Sequence, residues 1–294
     1  MSYPYPLTDP GAALATAETK VLRTHRRLQP FAARFDIQSR RLLGGGAHGV
    51  VFRVRERPRN GRLAVAKVAR RLEPTTLEAI RNEVEVLELA RPPVAPMVQG
   101  LLYHRPSNSL VGFTTPHVPG QTLASLLSKG PLEPEAVERI GRALIEAVLE
   151  LGKCGVVHRD LKPAHVLVTD AGGALLLDFG LARRIGDDCE RRGVSCTPQY
   201  ASPEQLEGGR QDARSDLFTT GLILYELVEA NPLFREAPGT AEECRSLQRR
   251  RLELGLEISR PCPAWMRQLI GRLLADDPRW RADTAEVTAL LGAI

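Results

Sequence analysis

Apolar residues change their period about a third of the way along the chain. From Phe35 to about Val118 they alternate or cluster in short β-branched runs, a pattern that predicts strands over 35–43, 50–55, 62–69, 97–104 and 109–115. Asn60-Gly61 falls between the second and third of these. That dipeptide suits a tight hairpin because both residues tolerate positive φ. One helix interrupts the strands. Glu73-Pro74-Thr75-Thr76 supplies a start signal, and Leu77, Ile80, Val84 and Leu87 recur at helical spacing up to Ala90. After Pro119-Gly120 the spacing turns helical, with helices predicted over about 122–128, 134–153, 215–230, 241–251, 264–275 and 283–293. In this second half the only strands expected are 166–169 and 174–177, flanking a turn at Asp170-Ala171-Gly172-Gly173. The class is α+β: a small antiparallel-sheet lobe with one helix over 35–118, then a larger, mainly helical lobe over 119–294. Residues 1–34 form a leader in which Ala12 to Leu28 carries an amphipathic helical pattern.

Composition changes this picture little. Of 294 residues, 43% are apolar and 26% charged, which is ordinary for a globular protein with a sizeable core. The net charge of +5 comes mainly from dispersed arginines without a basic block interleaved with aromatics, so no nucleic-acid partner is expected. The five cysteines show no C-x-x-C spacing, which argues against a disulfide framework or a zinc site. No apolar run has the length of a membrane span, and the N-terminus lacks a signal-peptide pattern. A reducing, cytoplasmic setting is the expectation.

Chemistry enters at Leu43-Gly44-Gly45-Gly46-Ala47-His48-Gly49-Val50-Val51, a G-x-G-x-x-G-x-V run between two predicted strands. A strand-to-helix setting would suggest a dinucleotide fold; this one does not. Glycines let backbone amides approach phosphate oxygens closely, although a plain hairpin turn would look similar on glycines alone. Lys67 follows inside the apolar strand Leu63-Ala64-Val65-Ala66-Lys67-Val68. A lysine there either faces solvent or needs a partner. Glu83 on the next helix is the preferred partner, with Glu85 and Glu78 as alternatives. Two acidic motifs come later: His158-Arg159-Asp160-Leu161-Lys162-Pro163-Ala164-His165 and Asp178-Phe179-Gly180.

The order and spacing of these motifs resemble the eukaryotic-type (Hanks-type) serine/threonine protein kinases from about Phe35 to the C-terminus. The resemblance implies a bilobal protein-kinase-like fold with ATP clamped between the lobes, and a protein substrate with a Ser/Thr acceptor. Asp160 would orient the acceptor hydroxyl and take its proton, and Lys162 would neutralise the transferring phosphoryl. Lys67, paired with Glu83, would hold the α- and β-phosphates. Asp178 would chelate Mg²⁺. The implied nucleotide-binding positions are Gly44, Gly46, Gly49, Val51, Val65, Lys67, Glu83, Thr115, Val118 and Leu167. Val65 stands where the family usually has alanine, which makes the adenine roof bulkier. Thr115 guards the back pocket, and Pro116 in the hinge removes only a backbone donor that the base does not use. His158 and Phe179 read as core residues in a column with Leu87.

The resemblance breaks at position 165, where histidine replaces an asparagine that binds a second metal ion and ties down the catalytic loop. Mg²⁺ prefers oxygen ligands, so His165 should be a poorer Mg²⁺ ligand, with Mn²⁺ as the alternative ion. A His165 nitrogen still offers a hydrogen bond to the loop. Either transfer persists, or the chain is a nucleotide-binding pseudokinase scaffold. Retention of Lys67, Asp160, Lys162 and Asp178 favours transfer, autophosphorylation included. Downstream, Thr197 would bond near Asp160 and Lys162, Glu204 would pair with Arg281, and Asp216 would pin the catalytic loop. Ser195 is the candidate phosphosite, with Arg159 as its phosphate ligand. Thr122 and Ala164 stand where arginine-directed relatives carry acids, so a strict arginine preference is not expected.

Overall fold

The computed structural model describes residues 35–36, 42–45, 49–56, 61–104, 107–187, 197–234 and 240–292. The leader, Gly46, Asn60 and Ser195 lie outside the described residues. The chain divides into two compact units, one reaching to Glu88 and resuming over Pro96–Val118, the other comprising Leu89–Ala95 and Pro119–Ile294.

The first unit is built on strands β1 (Phe35–Asp36), β2 (Leu42–Gly45), β3 (Gly49–Glu56), β4 (Leu63–Ala69), β5 (Gly100–His104) and β6 (Ser109–Pro116). The sheet order is β1-β3-β4-β6-β5, with β2 beside β3. Neighbours pair antiparallel; short connections account for β2–β3, β3–β4 and β5–β6, while β4 and β6 are joined through α1 and β5. Side chains alternate between faces, and Val50, Val54, Ala64, Ala66 and Val68 are buried together on one of them. Small residues permit a close approach of β4 and β6: a Cβ on Gly112 would sit 2.4 Å from the Lys67 carbonyl oxygen. Helix α1 (Pro74–Ala90) buries Ile80, Val84 and Leu87 at three-to-four-residue spacing, with Glu83 buried beside them.

The second unit is mainly helical: α2 (Leu123–Leu127), α3 (Pro134–Lys153), α4 (Pro203–Leu206), α5 (Ala213–Glu229), α6 (Ala241–Glu253), α7 (Ala264–Leu273) and α8 (Thr284–Gly292). Helix α5 is buried from Ser215 to Val228 and so forms the centre of this core. Asp212 caps it by accepting from the Arg214 amide at 2.8 Å. Two glycines bring helices close. Cβ atoms would fall 2.4 Å from Met266 at Gly141 and 2.9 Å from Leu273 at Gly221. Among the described residues no helix is long and apolar enough to cross a membrane.

This unit holds more strand than its sequence pattern predicts. Besides β9 (Val166–Thr169) and β10 (Ala174–Leu176) it contains β7 (Gly120–Thr122), β8 (Val156–Val157) and β11 (Arg183–Arg184). Their order is β10-β9-β7 in one sheet and β11-β8 in a second pair. Strands of two or three residues are too short to show a period, and their pairing is non-local, so no local pattern could announce them. Strand β5 also starts later than the 97–104 expectation, and α7 stops before 275.

Candidate active site

In the first unit, cross-strand register sets Val51 opposite Lys67 and Val65 opposite Thr115. Directly opposed residues share a face, so Val51, Val65, Lys67 and Thr115 lie on one side of the sheet. Val51 and Val65 are half-buried there. The Lys67 ammonium donates to Glu83 Oε1 at 2.6 Å, and both side chains are buried, at 9% and 3% exposure. Such burial is tolerable only because the charges are paired. A Cβ at Gly49 would press on Lys67 Cγ and Cε at 3.1 Å, whereas one at Gly44 would meet nothing within 4 Å. The backbone at Gly44 is therefore open to an approaching group. Val118 is half-buried just after β6, and the His117 amide donates to Leu63 O at 3.3 Å.

In the second unit, two loops are framed by paired strands. Residues 158–165 run from β8 into β9, and 177–182 run from β10 into β11. Since β8 pairs with β11 and β9 with β10, the loops emerge side by side. The Leu177 amide joins them by donating to His165 O at 2.8 Å. Leu167, on β9, is half-buried and stands in register with both Leu175 and Thr122.

Both oxygens of Asp160 are held. Oδ1 accepts from the Thr197 amide at 3.1 Å and the Thr197 hydroxyl at 2.7 Å, and Oδ2 accepts from Lys162 Nζ at 3.0 Å. Lys162 Nζ also donates to Thr197 Oγ1 at 2.8 Å, so the three side chains form a closed triangle. His165 joins the group. Its Nδ1 lies 2.8 Å from the Asp160 carbonyl oxygen, and its Nε2 lies 3.5 Å from Asp178 Oδ2. Asp178 is 38% exposed at its side chain. Burial, followed by the nearby Lys162 ammonium, holds the His165 pKa below its usual value.

The loop backbone is strained and tied. Arg159 and Asp178 adopt φ values of 68° and 61°, which cost non-glycine residues about 1–3 kcal/mol each. Asp216 offsets this from α5, accepting from the amides of His158 at 2.6 Å and Arg159 at 3.1 Å. The Gln205 amide nitrogen donates to Arg159 O at 2.8 Å, while its oxygen accepts from the Ser202 amide at 2.9 Å. The sequence reading missed Gln205. The signal was available, because Ser202-Pro203-Glu204-Gln205 is a capping box. His158 is fully buried, packs against Phe179 in a tilted arrangement with centroids 4.8 Å apart, and is held near pKa 4 by burial. Arg281 reaches Glu204 through two bonds, at 2.8 and 3.2 Å, as the family resemblance implied.

A model of the family described as protein kinase domain matches residues 37–290. The chain belongs to the protein kinase family. This kinase-family chain is 42% identical over 123 residues to a probable serine/threonine-protein kinase of Streptomyces coelicolor, covering 40% of the chain and 18% of that protein. It is 35% identical over 139 residues to serine/threonine-protein kinase PknL of Mycobacterium tuberculosis, covering 46% of the chain and 34% of the relative. With serine/threonine-protein kinase pkn3 of Myxococcus xanthus it shares 32% identity over 266 residues, 83% of the chain and 47% of that protein. The kinase chain thus spans less than half the length of these curated relatives.

The residues present suit a nucleotide–metal complex. In the first unit Lys67 offers an ammonium and Gly44 an open backbone that would suit phosphate oxygens; in the second, Lys162 offers an ammonium and Asp178 a partly exposed carboxylate that would suit a phosphate and a cation. Among the described residues there is no group of three or more His, Cys, Asp or Glu that would hold an ion by itself. An ion bound at Asp178 therefore needs further ligands from the nucleotide or from water.

Proposed function

We propose that this chain is a serine/threonine protein kinase that transfers the γ-phosphoryl group of ATP to a protein hydroxyl and phosphorylates itself. The observation that carries the reading is the Asp160–Lys162–Thr197 triangle. It fixes a carboxylate and an ammonium side by side, where one can take a hydroxyl proton and the other can face a phosphoryl oxygen. The serine/threonine names of the relatives support the acceptor type.

In this reading the acceptor oxygen bonds to the γ-phosphorus as the bond to the bridging oxygen breaks. The hydroxyl proton passes to Asp160, and ADP leaves with the bridging oxygen. Lys162 stabilises the transferring oxygens, and Lys67, anchored by Glu83, holds the α- and β-phosphates. Asp178 and His165 would hold a divalent ion, which neutralises phosphate charge when bound. Thr197 keeps Asp160 oriented. Ser195 is the autophosphorylation site in this account, with Arg159 as its phosphate ligand. Arg159 Nε is buried without a hydrogen-bond partner among the described residues, which supports that assignment.

The test is γ-labelled ATP with a mixed protein acceptor, followed by phosphoamino-acid analysis. Label on serine and threonine is expected, and Asp160→Ala should lower the rate about 10²- to 10⁴-fold. Label on tyrosine alone, equal rates in the two proteins, or nucleotide binding without transfer would overturn the reading.

A further inference from the structure

His165 departs from its family, and its two nitrogens face different partners. The Asp160 carbonyl oxygen, 2.8 Å from Nδ1, can only accept a hydrogen bond. Nδ1 therefore carries the hydrogen. In the neutral ring the lone pair belongs to Nε2, which lies 3.5 Å from Asp178 Oδ2. Nε2 thus presents a lone pair beside a carboxylate oxygen, two donor atoms that one cation can share. Leu177 donates to the His165 carbonyl at 2.8 Å, and the side chain is 13% exposed, so the ring is held where it is. The ring thus serves two purposes from one fixed tautomer. One edge ties the loop that carries Asp160, and the other presents a nitrogen beside a metal-binding carboxylate.

Resting on the kinase reading above, we infer that His165 Nε2 and Asp178 Oδ2 form a mixed nitrogen–oxygen site. This site selects a first-row transition ion such as Mn²⁺ over Mg²⁺ in the nucleotide complex. Imidazole nitrogen suits first-row transition ions, whereas carboxylate and phosphate oxygens suit Mn²⁺ and Mg²⁺ alike, so the nitrogen is the donor that separates the two. Mg²⁺ is smaller, holds its waters tightly and favours oxygen donors. Nucleotide phosphates would complete the shell, consistent with the lack of a self-sufficient protein cage among the described residues. The selectivity belongs to this chain's histidine and is not a property of the family's asparagine.

Binding tests this without turnover. The full chain, saturated with ADP, is titrated with Mn²⁺ and followed by the loss of the free-ion electron paramagnetic resonance signal; Mg²⁺ competes. The pulsed spectrum of the bound ion reads directly whether nitrogen is coordinated. Wild type should show nitrogen coupling. His165→Asn should lose it, and the Mn²⁺-over-Mg²⁺ preference should fall about tenfold or more. Asp178→Asn should weaken both ions. His165→Gln serves as a second variant should the asparagine protein fail to fold. Bound Mn²⁺ without nitrogen coupling, or a preference unchanged in both His165 variants, overturns this inference and leaves the kinase reading standing. If ADP binds neither alone nor with either ion, the kinase reading fails, and the site fails with it.

Discussion

Thr197 shows how much of the candidate chemistry depends on single hydrogen bonds. Its hydroxyl accepts from Lys162 and donates to Asp160, so one oxygen links the proposed base to the cation proposed to face the phosphoryl group. Thr197→Val keeps the shape and removes both bonds. A bond to a charged group is worth about 1.5–3 kcal/mol, and the Thr197 amide still holds Asp160, so the loss should be about that of one such bond, a roughly tenfold to hundredfold fall in kcat with nucleotide affinity nearly unchanged. Steady-state kinetics beside ADP titration separate the two effects, and a matching loss of ADP affinity would contradict the assignment. Asp216 acts through backbone rather than through substrate. It holds two loop amides while Arg159 sits at a φ of 68°. The grouping of Asp160, Lys162 and Asp178 was legible because two contiguous motifs carry them, and the tie from Asp216 to the loop was an implication of the family resemblance. Gln205 was overlooked because its reach to Arg159 O depends on where α4 packs, which local spacing does not encode.

Between elements, the main tie is the bond from Arg281 to Glu204 at the start of α4. Arg281 has no exposed side-chain surface and lies over the Phe218 ring at 4.8 Å. Removing one partner strands the other charge in the core. Arg281→Met should cost about 3–5 kcal/mol, read as a lower midpoint in denaturant unfolding, and adding Glu204→Leu should recover most of it. Equal stability of the single and double variants would argue against a buried pair. Strand β6 shows a second constraint, since Gly112→Ala would drive a methyl into the Lys67 carbonyl oxygen at 2.4 Å. About 1–3 kcal/mol of overpacking strain is expected there, with thermal unfolding as the check. The long elements were legible because their periods repeat over several turns or residues. The short strands β7, β8 and β11 were not, although β8 and β11 frame the two loops that carry Asp160 and Asp178.

Across the whole molecule, buried carboxyls should shape stability against pH in opposite directions. Burial pushes Glu204 up, but its bonds to Arg281 and Ser215 outweigh this and hold it below its usual 4.5. The stability it contributes is present above pH 4.5 and is lost as pH falls through the lower folded value. Asp216 is pushed by burial from 3.8 to about 7, so its contribution is present below 3.8 and is lost as pH rises through about 7. Thermal unfolding across this range should decline at both ends. Asp216→Asn should lower the midpoint overall and flatten the neutral-side decline, and an unchanged neutral-side slope would contradict the assignment.

The central claim of the proposed kinase reading is that Lys67 and Lys162 each serve ATP phosphates. The most direct measurement is labelling with an ATP acyl phosphate, which transfers its acyl group to amines beside the phosphates, read by peptide mass spectrometry. The account predicts acylation at Lys67 and Lys162, suppressed at both by excess ATP with Mn²⁺. Labelling confined to other lysines, or undiminished by ATP, would contradict it.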